Sequence, residues 1–217
     1  MKKGILFLNG EPPAAMHLQA VQKAKQADAA LGIYCTDGAY RYVSPYLLPD
    51  TVLGDFDSLP LSAVHPSCEK AVYPADKDYT DGFLAVKVML SRGYDHIDIY
   101  GAYGGRPDMA QSNFALLALA RAHGIRARFC GDMQTYLIGE TFTLPVRRGA
   151  TVSLVPFTDT VHIVYTKGLK YALHDHTMRA YADLDAPDYI MGVSNEGCGT
   201  EAEVRIDKGL ALFFVQQ

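Results

Sequence analysis

The chain has 217 residues, of which 49% are hydrophobic and 20% are charged, and its formal net charge is −4. Such a composition supports one large or two small folded domains rather than a disordered chain. The acidic balance and the lack of any long Lys or Arg run argue against a nucleic-acid partner. No apolar stretch approaches the roughly 18 residues of a membrane helix. We therefore expect a soluble, cytoplasmic protein with no membrane association.

The four cysteines are widely spaced and none belongs to a Cys-x-x-Cys pair. They are Cys35, Cys68, Cys130 and Cys198. This usage predicts reduced thiols rather than a disulfide framework.

The first 130 residues alternate short apolar runs with helical patterns. Strands are predicted at 5–8, 31–35, 51–54, 70–73, 96–100 and 126–130. Helices are predicted at 14–27, 80–91 and 108–123. The helix at 80–91 carries Phe83, Val86 and Leu90 at helical spacing. This alternation predicts a Rossmann-like α/β domain, with a mostly parallel sheet and helices on both faces.

The pattern changes after residue 131, where short β-type runs follow one another without helical periodicity. These runs lie at 135–138, 141–144, 151–155, 162–165, 204–206 and 210–215. They predict a C-terminal all-β sandwich or barrel. The polar segment 174–189 is predicted to be a long irregular connection. The expected domains are therefore 1–130 and 131–217.

Two aspartates follow the third predicted strand, in the segment Gly-Asp-Phe-Asp-Ser at 54–58. In an extended chain Asp55 and Asp57 point to one side and Phe56 to the other. Phe56 would then enter the core while both carboxylates face solvent at the carboxyl edge of the sheet. Open α/β sheets bind their ligands at that edge.

A second acidic segment, Asp-Lys-Asp-Tyr-Thr-Asp at 76–81, connects the fourth strand to its helix. Magnesium prefers one or two carboxylates together with phosphate oxygens, so the two acidic segments could hold Mg-ATP. An alternative role is structural. Asp78 could cap the helix, with Asp81 in its first turn.

Two glycine-containing turns follow predicted strands of the first domain. The segment 101–108, Gly-Ala-Tyr-Gly-Gly-Arg-Pro-Asp, opens a helix whose N-terminus would attract phosphate, and Arg106 adds a fork of donors. It matches neither a P-loop nor a dinucleotide fingerprint. The segment 36–39, Thr-Asp-Gly-Ala, places Asp37 at the same edge. The segment 101–108 alone is equally compatible with a simple turn, and a segment such as 36–39 alone is more often a simple turn.

In their order and spacing, these four segments resemble the thiamine pyrophosphokinase family. Asn113 and two C-terminal segments, Gly-Leu-Lys-Tyr at 168–171 and Gly-Val-Ser-Asn-Glu at 192–196, extend the resemblance over nearly the whole chain. The sequence departs from the family in two places. Met109 stands where the family usually has His, and the chain has no Trp to stack on thiamine.

The resemblance implies an enzyme that transfers the diphosphate of ATP to the hydroxyl of thiamine, giving thiamine diphosphate and AMP. It implies an ATP- and Mg²⁺-binding catalytic domain at 1–130, a thiamine-binding domain at 131–217, and a homodimer with thiamine bound between subunits.

The same resemblance implies a role for individual residues. Implied Mg²⁺ ligands are Asp55, Asp57, Asp76, Asp78 and Asp81, and the last four are also the implied catalytic residues. Implied ATP-binding residues are Asp37, Gly38, Asp55, Lys77, Thr80 and Arg106. Implied thiamine-binding residues are Asp108, Ser194 and Asn195.

Two other functions fit parts of the sequence. Asp55 and Asp57 have the spacing of an Asp-x-Asp phosphatase nucleophile, although such a motif is expected on the first strand. A non-catalytic nucleotide- or vitamin-binding module is the other alternative. Separately, His174 and His176 could be a metal-ligand pair or part of a solvated loop.

Overall fold

A computed structural model describes residues 1–181 and 189–216 of the chain. These residues form two compact units, Met1–Gly131 and Asp132–Gln217. Within the described residues, no helix combines the length and the apolar character needed to cross a membrane.

The first unit contains six parallel strands and four α-helices. The strands are β1 (Lys3–Phe7), β2 (Gly32–Thr36), β3 (Thr51–Gly54), β4 (Glu69–Val72), β5 (His96–Tyr100) and β6 (Arg126–Phe129). The helices are α1 (Ala15–Ala27), α2 (Tyr40–Val43), α3 (Asp81–Ser91) and α4 (Pro107–Ala122), with a 3₁₀ turn at Leu61–Ala63.

The strand order is β6-β5-β1-β2-β3-β4, and every neighbouring pair is parallel. Alternate residues of β1 face opposite sides of the sheet, as the pleat requires. Ile5 and Phe7 belong to one core with Leu18 of α1. On the other side a Cβ at Gly4 would lie 2.2 Å from Met89 Cε of α3. Helices therefore cover both faces, as predicted.

The order of the strands reverses at β1. Its two neighbours are β2, the next strand along the chain, and β5, which follows much later. The connections that leave β1 and β5 therefore diverge, which opens a crevice at the carboxyl edge. The strand order alone therefore predicts a ligand site in this crevice.

The second unit is built from antiparallel strands. They are β7 (Met133–Ile138), β8 (Thr141–Pro145), β9 (Thr151–Pro156), β10 (Thr160–Lys167), β11 (His174–Arg179), β12 (Asn195–Glu196), β13 (Glu201–Lys208) and β14 (Ala211–Gln216). One set has the order β12-β9-β14-β7 and the other β11-β10-β13-β8. Their inward residues share one core that includes Val152, Ile163, Val204 and Phe213.

The prediction of an irregular connection at 174–189 is wrong for its first part. His174–Arg179 forms the edge strand β11, which pairs antiparallel with β10. Five of its six residues are polar or charged, and only Met178 is fully buried, so the segment lacks the apolar alternation that marks a strand. The segment is a strand because it forms backbone hydrogen bonds with β10. Residues 182–188 of the predicted connection lie outside the described residues.

His174 and His176 therefore stand on a strand rather than in a loop. The histidine that joins two carboxylates is His162 of β10. Its Nδ1 lies 2.7 Å from Asp207 Oδ1 and its Nε2 lies 3.1 Å from Asp175 Oδ1. Hydrogen bonds to Asp207 and then to Asp175 raise the pKa of His162 above its ordinary value of 6.5. The His162 ring thus links β11, β10 and β13, and its raised pKa favours the protonated form.

Replacing His162 with Gln should make the stability of the protein less dependent on pH. A raised pKa in the folded state stabilises the protein fully below the unfolded value and loses this effect as pH rises through the folded value. Wild type should therefore exceed the variant in denaturant midpoint at pH 6 and match it at pH 9. His123→Gln is the control, because the His123 ring contacts a carbonyl. A gap at pH 9 as large as at pH 6 would refute the imidazolium link.

Candidate functional site at the carboxyl edge of the parallel sheet

A cavity of about 340 Å³ opens at the carboxyl edge, where the connections of β1 and β5 diverge. Its walls come from the residues after β1 and β2, the start of α3, the Gly-rich loop after β5 and the first turns of α4. Of the sequence-predicted residues, Asp37, Asp81 and Arg106 line it. The cavity thus lies at the switch point of the sheet.

Three carboxylates meet beside this cavity. Oxygens of Asp37, Asp55 and Asp57 all lie within 4.8 Å of one another. Carboxylate oxygens are the ligands that hard divalent cations select. Like charges at this separation repel unless a cation or a proton intervenes. The cluster therefore fits a divalent cation, and it includes Asp37, which the sequence had assigned to ATP rather than to the metal.

Asp37 is fixed by the backbone around it. Its N–H donates to Leu53 O at 2.9 Å, and its carboxylate accepts from the N–H of Gly38 at 2.6 Å. The side chain is buried, and this desolvation raises the pKa of Asp37, with the charges of Asp81, Asp55 and Asp57 adding to the effect. A positive ion at this position would relieve both penalties.

The segment after β3 is a turn rather than a continuation of the strand, so the predicted alternation is wrong in its geometry. Phe56 has φ 58, and the N–H of Asp57 donates to Asp55 Oδ1 at 3.2 Å. A left-handed conformation is uncommon for a bulky side chain and costs on the order of 1 kcal/mol or more. Phe56 nevertheless packs against the core, and the turn brings both carboxylates to one side.

Lys77 connects the second acidic segment to the cluster. Its Nζ lies 3.0 Å from Asp81 Oδ1 and 3.7 Å from Asp55 Oδ2. Burial raises the pKa of Asp81, although Lys77 opposes the shift. The side chain of Thr80 caps α3 by accepting from Phe83 N–H at 3.2 Å, so the capping role considered for Asp78 belongs to Thr80.

Asp76 and Asp78 are exposed in this structure. Among residues 1–181 and 189–216, the group of three or more potential metal ligands consists of Asp37, Asp55 and Asp57. The ligand and catalytic roles assigned to Asp76, Asp78 and Asp81 from the sequence stay predictions.

The Gly-rich loop after β5 adopts left-handed conformations at Gly101, Gly104 and Gly105, with φ of 66, 77 and 66°. Arg106 then precedes Pro107, the first residue of α4. Arg106 and Asp108 pair with each other through two hydrogen bonds of 3.1 and 2.5 Å, and both side chains are largely exposed. The residues predicted to meet ATP and thiamine respectively are therefore neighbours here.

Asn9 and Asn113 also line the cavity, and sequence reasoning assigned no role to Asn9. Asn113 is buried and donates to Ala102 O at 2.8 Å, which supports the Gly-rich loop. A Cβ at Gly38 would lie 2.3 Å from Asn9 Nδ2. Gly38 is thus required for Asn9 to fit beside Asp37. The signal was the Asn-Gly pair directly after the first strand.

The second unit has a cavity of its own, of about 400 Å³. Apolar residues from β9, from the connection between β10 and β11, and from residues 190–193 form most of its wall. Tyr171 is well exposed at this cavity, and Asn195 and Thr166 supply polar groups. A mostly apolar cavity with a few polar groups is typical of small-molecule sites.

Asn195 organises this cavity. Its Oδ1 accepts from the N–H of Tyr171 at 3.0 Å, and its Nδ2 donates to Tyr171 O at 2.8 Å. The amide therefore holds Tyr171 in place. Ser194 has φ 60, and its N–H donates to Ser153 Oγ at 3.2 Å. Ser194 lies in the turn that the sequence predicted, next to the wall of the cavity.

Each unit matches a domain model of the same protein family. Residues 24–129 match the family model described as thiamin pyrophosphokinase, catalytic domain, and residues 141–211 match thiamin pyrophosphokinase, vitamin B1 binding domain. Thiamine pyrophosphokinase of Bacillus subtilis (strain 168) is 31% identical over 146 residues, which is 64% of this chain and 68% of that relative.

Solved structures share the fold over nearly the whole chain. The structure of Bacillus subtilis thiamine pyrophosphokinase superposes with a TM-score of 0.80 at 20% identity and covers 99% of both chains. Thiamin pyrophosphokinase from Candida albicans has a TM-score of 0.78 at 15% identity, covering 100% of this chain and 90% of that one.

The fold and the matched models define a transferase of the kinase class with a vitamin-binding unit. These findings favour neither the phosphatase nor the non-catalytic module considered from the sequence. The chain belongs to the thiamin pyrophosphokinase family, and it forms thiamine diphosphate from thiamine.

Proposed function

We propose that the enzyme uses ATP as the diphosphate donor, requires Mg²⁺, and releases AMP. The observation that carries this proposal is the cavity at the switch point of the sheet, bounded by an acidic cluster on one side and a Gly-rich loop and helix N-terminus on the other. Acidic groups select a metal-bound polyphosphate, and the loop and helix end suit its free oxygens.

Asp37, Asp55 and Asp57 would hold the Mg²⁺, and the sequence adds Asp76, Asp78 and Asp81 as further ligands for the metal and its nucleotide. When bound, the metal neutralises phosphate charge that would otherwise repel the attacking oxygen. Lys77 lies between Asp55 and Asp81, where it would bind a phosphate oxygen of ATP.

The reaction would be a direct in-line displacement. The primary hydroxyl oxygen of thiamine forms a bond to the β-phosphorus of ATP, and the bond from that phosphorus to the oxygen bridging to the α-phosphorus breaks. AMP leaves with that oxygen, and the hydroxyl proton passes to an aspartate carboxylate. Arg106 and Thr80 would orient the nucleotide. The absence of a side chain at Gly38 leaves room for Asn9 in the wall of the same cavity. Holding both reactants in line provides much of the acceleration in such transfers.

Thiamine would bind in the cavity of the second unit. Its rings need an apolar wall and a few hydrogen-bonding groups, which the cavity offers. The exposed ring of Tyr171 supplies an aromatic surface in a chain that has no Trp. Ser194 and Asn195 remain the predicted polar contacts of this cavity, and the thiamine-binding role of Asp108 stays a prediction from the family resemblance.

Replacing Asn195 with Ala should raise the apparent KM for thiamine by about tenfold, because one substrate hydrogen bond of roughly 1 kcal/mol is lost and Tyr171 is released from its two bonds to the amide. The KM for ATP should change by less than about twofold. Steady-state kinetics with each substrate varied in turn provides the measurement. Equal increases for both substrates would indicate a general loss of structure instead.

The product nucleotide tests the proposed reaction. With ATP, Mg²⁺ and thiamine, chromatography should show AMP rising in step with thiamine diphosphate. ADP with thiamine monophosphate would mean attack at the γ-phosphorus, and free phosphate alone would mean hydrolysis. Either result would overturn the proposal even if every aspartate proved essential.

The family resemblance further implies a homodimer that shares its thiamine sites, and two-fold dimers are the commonest oligomers. Sedimentation at micromolar concentration should give about twice the chain mass of 23.8 kDa. A fully active monomer would exclude a shared site.

A further inference from the structure

A second cavity of the β-rich unit has no role in the proposed reaction. It measures about 700 Å³ and lies between the turn that follows β8 and the turn that precedes β13. None of its lining residues lines the cavity assigned to thiamine. Its walls combine apolar groups of Pro145, Val146 and Val215 with two adjacent arginines, Arg147 and Arg148.

The positive charges of this cavity are those of Arg147 and Arg148. Within residues 1–181 and 189–216, neither guanidinium makes an ion pair or a hydrogen bond. The nearby lysines differ in this respect, since Lys167 pairs with Glu203 and Lys170 pairs with Glu196. Guanidinium forks match phosphate oxygens in geometry as well as in charge.

The backbone adds donors at the same place. The N–H groups of Arg147, Arg148, Gly199 and Thr200 have no acceptor in the described part of the chain, and all four residues line the cavity. Consecutive free N–H groups in turns are a recurring anion-binding arrangement.

Backbone hydrogen bonds hold the two turns together. Val146 N–H donates to Thr200 O at 3.0 Å, and Gly149 N–H donates to Gly197 O at 2.8 Å. Gly197 N–H returns a bond to Ala150 O at 2.9 Å. The two turns are therefore held relative to each other before a ligand arrives, which lowers the entropic cost of binding.

We propose that this cavity is a second anion site, separate from the catalytic site, that takes a phosphorylated small molecule. The guanidinium groups and turn N–H groups bind the phosphate, and the apolar wall accepts the remainder of the molecule. The chain is acidic overall, so a local basic cavity concentrates anions that the rest of the surface repels.

Cys198 provides a built-in reporter for the test. It lines the cavity and is partly exposed, whereas Cys35, Cys68 and Cys130 are buried. Inorganic pyrophosphate is the probe, used with excess EDTA so that it cannot enter the catalytic site as a metal complex. Alkylation of Cys198 by iodoacetamide, followed by peptide mass spectrometry, should slow about tenfold at ten times the dissociation constant. Potassium chloride at equal ionic strength should not slow it.

The variant Arg147→Ala/Arg148→Ala should abolish this protection. It should also lower the ratio of the iodoacetate rate to the iodoacetamide rate at Cys198 by about threefold, because the negative reagent loses the local attraction. Arg205→Ala is the control, since Arg205 is an exposed arginine of β13 that does not line the cavity. Calorimetry with pyrophosphate in EDTA supplies an independent measure of binding.

Two results would overturn the proposal. One is a wild-type protein whose Cys198 reacts at the same rate with and without pyrophosphate and which shows no heat of binding. The other is equal protection in the double variant and in wild type, which would mean that pyrophosphate binds elsewhere. Neither result depends on which nucleotide the catalytic site releases.

Discussion

Replacing Asp57 with Asn should lower turnover at least about a hundredfold while leaving the fold intact. Asp57 is exposed and belongs to the three-carboxylate cluster, so the change removes a charge from the predicted metal site without creating a cavity. Preorganised electrostatic groups of this kind typically supply several kcal/mol to the transition state. The measurement is the initial rate of thiamine diphosphate formation at saturating ATP, thiamine and Mg²⁺.

The control is Asp28→Asn, because Asp28 lies between α1 and β2 and its carboxylate accepts from the N–H of Ala30. This bond survives in Asn, so activity should stay within about twofold of wild type, as for most surface changes. Excess EDTA should abolish activity in wild type and in the control alike. Full activity of the Asp57 variant, or of wild type in EDTA, would contradict the metal assignment.

Replacing Gly101 with Ala should destabilise the first unit by about 3 kcal/mol and impair catalysis. A Cβ there would lie 2.3 Å from Leu8 O and 2.7 Å from Tyr42 Oη, at a φ of 66°. The left-handed backbone costs an alanine about 1 kcal/mol, and displacing a backbone carbonyl costs about 1–3 kcal/mol more. Because Gly10 N–H donates to Gly101 O, the displacement would spread to Asn9 at the cavity. Denaturant unfolding and steady-state rates give the two measurements.

Gly124→Ala is the matched control for this change. Gly124 has φ 73, and a Cβ there would meet nothing within 4 Å, so only the backbone cost of about 1 kcal/mol applies. The difference between the two variants isolates the close contact with Leu8 and Tyr42. Equal destabilisation by both alanines would show that the Gly-rich loop tolerates displacement.

The sequence predicted the first unit well because its strands and helices carry their own periodicity. The strand Thr51–Gly54 was predicted at the bounds observed, and the helix Asp81–Ser91 within one residue of them. The edge strand His174–Arg179 was not predicted, because its pairing with β10 rather than its own residues determines its conformation. Local patterns cannot report hydrogen bonds made with a distant segment.

The candidate site likewise has features that the sequence predicted and features that it did not. The sequence predicted that Asp37, Asp55 and Asp57 lie at one edge of the sheet, since parallel strands end at one edge. It did not predict that Asp37 joins Asp55 and Asp57 as a third potential metal ligand. The turn at Phe56 and the packing of Asn9 against Gly38 were not visible. The turn depends on a backbone conformation that Phe rarely adopts. The packing depends on a distance of a few ångströms between segments about 30 residues apart.

The three carboxylates beside the cavity also bear on how the protein survives in the cell. Because Asp37 is buried among like charges, its charged form is disfavoured in the folded chain, as its raised pKa indicates. Any partner that supplies positive charge there binds the folded chain and not the unfolded one, so occupancy adds to resistance against unfolding. Molecules starved of metal and nucleotide should therefore be the first that proteases remove.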